Sequence, residues 1–406
     1  MKRHGPLEDI RIVELGHVIA GPLSAALMAD FGADVIKIEH PRGGDMMREL
    51  GPKAEQDGVG IWWKTIARNK RILSLNWKAD KGRSILRQLV EQADVLVENF
   101  RAGVLERAGV GPDVLHEWNP DLIILRISGY GQSGPMVKKP AFGRAAEAMA
   151  GIPHLTGFED GPPMHPGFPA ADSTTGLMGA LGVMMALHTR GQNGTRGQVV
   201  DLAVFEALMR LIDYHVPALT GAKISPMRNG LRQPMDFAPG GMFRTRDGTW
   251  VTVSAANPQT AQRLLRAVAG DEFADDPRFA DMALITENMS AFFDALNAYI
   301  TERDLAEVEA AFEAADAVAA PVLSVEDILA HPQISHRGAI ASVEGDETRV
   351  IGPVPQLGET PGELRWLGRA MSADSRTILQ ELGHTEAAIE TLYNEGIIGL
   401  PQEDNT

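Results

Sequence analysis

The sequence predicts an α/β protein: a mostly parallel sheet covered by helices, joined to a smaller α+β domain. Three observations point there. Short β-branched runs alternate with helical patterns through the first half. A stretch rich in Pro, Gly and Met then interrupts the chain at 230–241. Beyond it, Asp247-Gly248 sits between two strand-like runs, a strong hairpin signal.

The strands are expected at 10–15, 34–39, 71–76, 94–99 and 122–128, with helices at 23–31, 81–93, 103–108 and 112–118. This alternation of strands and helices favours a parallel sheet with right-handed crossovers covered on both faces. In such sheets ligands bind beyond the carboxyl ends of the strands, so candidate residues belong to 16–21, 40–45, 99–107 and 128–134. The span 141–219 reads as mainly helical. The hairpin strands are expected at 242–246 and 250–255, then helices at 258–269, 288–301 and 305–315, a return segment near 319–327 and a helical tail at 375–393. This gives a large domain over 1–220, a small α+β domain over 221–318, and a segment 319–406 that completes the large domain.

The 406 residues are 44% hydrophobic, enough for a substantial core, and carry a net charge of −16. That acidic balance argues against nucleic acid as a partner. No cysteine is present, so disulfides, thiolate metal sites and a cysteine nucleophile are excluded, and a cytoplasmic location is expected. The opening residues lack the apolar segment of a secretory signal. The longest apolar run, 176–187, is shorter than the roughly 20 residues of a membrane span, so a buried helix and no membrane partner are expected.

Motifs narrow the chemistry. Gly16-His-Val-Ile-Ala-Gly21 has the outer glycines of a phosphate loop, but Pro22 and Leu23 replace its Lys and Ser/Thr. It also lacks the dinucleotide fingerprint. Gly131-Gln-Ser133-Gly134 falls short of a hydrolase nucleophile elbow. No His pair has the spacing of a zinc-protease helix, and neither a metal nor a permanently bound cofactor is expected.

Segments 7–22, 31–45, 68–76, 94–107, 127–135, Gly161-Pro-Pro163, Ala171-Asp-Ser-Thr-Thr-Gly176, 194–201 and 321–327 together resemble the class III coenzyme A transferases. That family includes the formyl-CoA and carnitine-CoA transferases. The resemblance implies a Rossmann-like large domain and a chain closed into a ring within an interlocked homodimer. It implies an acyl-CoA and a carboxylic acid acceptor as substrates, with the CoA thioester as substrate rather than cofactor. It also implies that Asp172 is the nucleophile, passing through an aspartyl anhydride and an aspartyl-CoA thioester. Arg107 then matches a phosphate contact and Asn99 and Phe100 the adenine side. His40, Arg42, Arg71 and Leu73 fall in segments bordering CoA, and Phe142 borders the substrate.

Read physically, Asp172 stands at or near the start of a helix over 173–188, where the dipole favours a carboxylate; simple helix capping is the plain alternative. Gly240 and Gly241 mark a candidate covering loop, with a linker turn as the alternative. Arg144, His154 and His165 are candidates for holding the acceptor. The chain departs from the formyl-CoA transferases at Phe142-Gly143-Arg144, where those enzymes have Tyr and an acidic residue. It departs from α-methylacyl-CoA racemase, a relative and the alternative activity, at the same place. Phe142 cannot exchange a proton as the racemase His does. A catalytically silent acyl-CoA-binding protein is the third reading.

Overall fold

The computed structural model describes residues 5–232, 239–255 and 257–401. The chain forms two compact units. The larger comprises 1–150, 167–211 and 332–406, the smaller 151–166 and 212–331. The boundaries therefore differ from those expected: 151–166, 212–220 and 319–331 pack within the smaller unit, as local composition does not reveal.

Along the chain run helices α1 (Ala20–Asp30), α2 (Ile61–Ile66), α3 (Asp80–Glu91), α4 (Val104–Arg107), α5 (Pro112–Trp118), α6 (Gly143–Met149), α7 (Ile152–Leu155) and α8 (Ala170–Thr189). Of these, α7 lies in the smaller unit. The larger unit holds a six-stranded sheet among the described residues. Its strands are β1 (Arg11–Glu14), β2 (Asp34–Glu39), β3 (Arg71–Ser74), β4 (Val95–Glu98), β5 (Ile123–Ser128) and β6 (Val199–Ala203). Their order is β3-β2-β1-β4-β5-β6, and every neighbouring pair is parallel. The inner strands are rich in Val, Ile and Leu because helices cover both faces; all of Val95–Glu98 is buried. The span 141–219 is mainly helical, as expected, but it also carries β6. β6 is a short edge strand beside a 20-residue helix, with Asp201 breaking its apolar run.

The order reverses between β1 and β4, which opens a crevice at their carboxyl ends. α8 lies along α1, and glycines set how closely. A Cβ on Gly176 would fall 2.7 Å from Leu23 Cδ2, and one on Gly179 2.5 Å from Ser24 Oγ. Ser24 Oγ donates to the Gly176 carbonyl at 3.0 Å. The first half of α8 thus meets the start of α1, which places Asp172 at the carboxyl end of the sheet. By length and composition α8 is apolar enough to cross a membrane. Its inner side nevertheless packs on α1 and Leu125 of β5, while Leu177, Leu181 and Met185 are exposed on its outer side.

The C-terminal segment rejoins the larger unit. Ile72 N donates to Asp374 Oδ2 at 2.8 Å, and Asn76 N to the Ile397 carbonyl at 2.7 Å. The expected single tail helix is two, Ser375–Glu381 and Glu386–Asn394, because Gly383 turns the chain at φ +86°.

The smaller unit contains an antiparallel sheet of β7 (Gly240–Arg244), β8 (Trp250–Ser254) and β9 (Val318–Pro321), with the hairpin turning at Gly248. Its core includes Phe243, Val251, Leu264, Phe292 and Phe312. Gly240 and Gly241 are strand residues here, which corrects the covering-loop expectation. Both are buried. A Cβ on Gly240 would lie 2.1 Å from the Val253 carbonyl oxygen, and one on Gly241 2.5 Å from that of Leu231. Close backbone packing explains both glycines. Ala238, two residues before Gly240, lies outside the described residues, as do the first four residues.

Candidate active site

The loop after β1 is pinned across the crevice by Asn99, the residue after β4. His17 N donates to Asn99 Oδ1 at 2.7 Å, and Asn99 Nδ2 donates to the His17 carbonyl at 2.7 Å. Both outer glycines of the loop serve this approach: a Cβ on Gly16 would lie 3.2 Å from Asn99 Oδ1, and one on Gly21 3.3 Å from Asn99 Cγ. Between them Val18 takes φ +65°, a costly conformation for a β-branched residue that the surrounding bonds must hold. The Phe100 ring stands 5.4 Å from His17 and 5.9 Å from Trp77, centroid to centroid.

A buried charge network underlies this loop. Glu14 pairs with Lys37 at 3.1 Å and with Lys70 at 2.6 Å, while Lys37 also reaches Asp45 at 2.9 Å and the Gly16 carbonyl. Burial opposes charge on Asp45, but Lys37 and the surrounding hydrogen bonds hold its carboxyl well below the usual range. Burial likewise opposes the Lys37 ammonium, and Glu14 and Asp45 overcome it. The loop is therefore built on fixed charge rather than on a glycine-rich cradle.

Arg107 ends α4 and is exposed at the same end of the sheet. Gly103, at φ +82°, lets it fold back, since a Cβ there would fall 2.8 Å from Arg107 Nη1. Arg107 lines two cavities. One, of about 480 Å³, also has Arg101, Arg126 and Lys138; the other, of about 420 Å³, has Lys78 and Arg83. His40 and Arg42 follow β2 and are exposed, with Arg42 N donating to His40 Nδ1 at 3.1 Å.

Two expected contacts lie elsewhere. Arg71 begins β3, at the amino end of the sheet, where it pairs with Asp34 and Glu381 at 2.8 Å each. Leu73 is fully buried in the hydrophobic core. Strand residues alternate between faces and ends, and a motif match does not reveal which end a side chain occupies. His154 and His165 belong to the smaller unit.

Asp172 is the third residue of α8. Pro169 holds the cap position and no side chain caps the helix, so capping does not account for Asp172. Its carboxylate faces the start of α6, where a Cβ on Gly143 would come within 3.2 Å of Asp172 Oδ2. One turn on, Glu147 is 1% exposed and accepts from Arg144 Nη1 at 2.8 Å. Burial pushes the Asp172 carboxyl up, and repulsion from Glu147 adds to it. This reverses the expectation that the helix start favours ionisation. Phe142, before α6, is 79% exposed.

A carboxylate held above its ordinary pKa, without a capping role, at the ligand-binding end of the sheet is the geometry of a reactive group. The family model of CoA-transferase family III matches residues 7–369. The chain belongs to CoA-transferase family III. Over 397 residues it is 35% identical to succinyl-CoA–D-citramalate CoA-transferase of Chloroflexus aurantiacus, covering 97% of this chain and 98% of that one. It is 37% identical over 399 residues to the beta subunit of succinyl-CoA–L-malate CoA-transferase of the same organism, with 97% and 98% covered. The crystal structure of a CaiB/BaiF family protein from Brucella suis superposes with TM-score 0.82 at 28% identity, covering 93% of this chain and all of that one.

Family III CoA-transferases act on CoA thioesters and carboxylic acids. For this CoA-transferase, sequence reasoning missed Glu147, Lys37 and the role of Asn99 in holding His17. Glu147 carried one usable signal: it follows Gly143 by four residues, on the same face of an alanine-rich helix.

Proposed function

We propose that this family III enzyme transfers CoA from an acyl-CoA to a carboxylic acid through covalent intermediates on Asp172. An Asp172 carboxylate oxygen attacks the thioester carbonyl, the C–S bond breaks, and CoA thiolate leaves a mixed anhydride. The thiolate then attacks the aspartyl carbonyl, expelling the donor carboxylate and forming an aspartyl-CoA thioester. An acceptor carboxylate displaces the thiolate to form a second anhydride. Attack by the thiolate on the acceptor carbonyl releases the new acyl-CoA and regenerates Asp172. No net proton is consumed. The observation carrying this reading is the partly buried Asp172 carboxylate, pushed up in pKa and left open by Gly143.

His17, Asn99, Phe100 and the basic side chains around Arg107 are assigned to CoA, since together they offer a ring platform and cations for its phosphates. His40 and Arg42 stand at the same end. The names of the relatives favour succinyl-CoA as donor and a dicarboxylic acid as acceptor. The exposed apolar side of α8 and the tail that rejoins the larger unit support an interlocked homodimer of ring-shaped chains. A monomer by mass photometry at nanomolar protein would remove that part of the proposal. A cytoplasmic location agrees with the absence of cysteine.

The test is incubation of succinyl-CoA with a panel of carboxylic acids in deuterated water. New acyl-CoA without deuterium at the α-carbon supports transfer. Deuteration without acyl exchange would make the enzyme a racemase, and neither would leave a binding protein.

A further inference from the structure

We infer that Arg126 is a positioning residue for CoA, bracing the Phe100 ring through Glu98 and the Arg107 guanidinium through Glu106. The inference rests on the assignment of Phe100 and Arg107 to CoA above. Arg126 and Glu98 are partners in the register of β5 with β4, so their side chains stand on the same face of the sheet. Glu98 is 1% exposed, and Arg126 Nε donates to its Oε1 at 2.8 Å. The other oxygen, Oε2, accepts from Phe100 N at 2.7 Å, which fixes the backbone that carries the ring.

The second arm of Arg126 crosses to α4. Its Nη1 lies 2.9 Å from Oε1 of Glu106, the residue before Arg107. A helix of four residues has no stability of its own, and Leu105 is the one buried residue of α4. A single apolar anchor lets such a turn swivel. Glu106 supplies the second anchor and so sets where Arg107 points. Gly111 makes room for it, since a Cβ there would fall 3.0 Å from Glu106 Cγ. Arg126, Glu106 and Arg107 all line the same cavity of about 480 Å³. Charge alone argues against a carboxylate there, because it repels a phosphate. With Nε and Nη1 committed to carboxylates, Arg126 serves the ligand through its neighbours.

The experiment titrates free CoA into the wild type, Glu106→Ala, Arg107→Ala and the variant carrying both changes. The Glu106 side chain is 44% exposed, so its removal should leave the fold intact, as thermal melts check. Glu106→Ala should raise the CoA dissociation constant by about 3- to 10-fold, and that rise should vanish once Arg107 is already Ala. Arg126→Lys, whose compact ammonium cannot span both carboxylates, should also weaken CoA binding. KM for succinyl-CoA should rise in both variants while the relative use of acceptor acids stays the same. Tighter CoA binding by Glu106→Ala would overturn the inference, making Glu106 a repelling charge instead of a brace. Unchanged binding, or the same rise with Arg107 already removed, would overturn it too. A wild type that binds no CoA, or unchanged CoA binding by Arg107→Ala, would overturn the CoA assignment itself and the inference with it.

Discussion

Gly143 and Asp172 meet so closely that a methyl group on the glycine would lie 3.2 Å from Asp172 Oδ2. It would also lie 3.3 Å from the Ala171 Cβ. The absence of a side chain at Gly143 leaves that side of the carboxylate uncovered. Gly143→Ala should therefore lower kcat by about 100-fold, the cost of moving a reacting group by a fraction of its working distance. Stability should change by no more than about 1 kcal/mol, because Ala is the better helix former and α6 begins there. Steady-state kinetics alongside thermal melts check both.

The Asp172 charge makes a second prediction, in stability. Its carboxyl is pushed up in the folded chain, first by burial and then by Glu147. The folded state thus favours the protonated form, and the wild type loses stability as pH rises through that raised value. Asp172→Asn carries no such loss. Its melting temperature should exceed that of the wild type at pH 7, and the gap should close as pH falls toward about 4, near the unfolded carboxyl value. A lower melting temperature at pH 7 would instead make Asp172 a structural residue.

Asn99 replaces a backbone neighbour for His17 and fixes the loop that carries Val18 at φ +65°. Asn99→Ala removes two hydrogen bonds of about 1 kcal/mol each, so melts should show a loss of about 2 kcal/mol. KM for the acyl-CoA should rise while the relative use of different acceptor acids stays the same.

Arg107→Ala should raise the apparent dissociation constants of donor and product CoA esters alike. A charge-assisted phosphate contact of about 1.5–3 kcal/mol corresponds to a loss of roughly 10- to 150-fold. Titration of free CoA against the variant reads this directly. Altered acid preference with unchanged CoA affinity would move Arg107 to the acceptor side.

Much of this was legible in the sequence because local patterns carried it. Asp34–Glu39 carries the β-branched Val35, Ile36 and Ile38, and the structure has the same six residues in β2. The apolar spacing of Ile85, Leu86, Leu89 and Val90 gave α3, whose buried residues are those four and Gly82. Asp172 was legible through its motif, yet its electrostatics were not: the repelling carboxylate, Glu147, lies 25 positions earlier. Arg71 misled because a motif gives position along a strand's neighbourhood without saying which end of the sheet the side chain serves. The glycines of β7 read as a loop because close backbone packing and a turn call for the same residue. The buried set of Glu14, Lys37, Asp45 and Lys70 was invisible for a related reason, since each of its residues looks like an ordinary surface charge until the strands pair.

The central claim is that Asp172 becomes covalently acylated. Wild-type enzyme mixed with succinyl-CoA and quenched with hydroxylamine should yield a hydroxamate, read by peptide mass spectrometry, on the peptide containing Asp172. Asp172→Asn should yield none, and its transfer rate should fall by several orders of magnitude because a neutral amide cannot form the anhydride. A hydroxamate on Glu147 or another acidic residue, or near-native transfer by Asp172→Asn, would contradict the account.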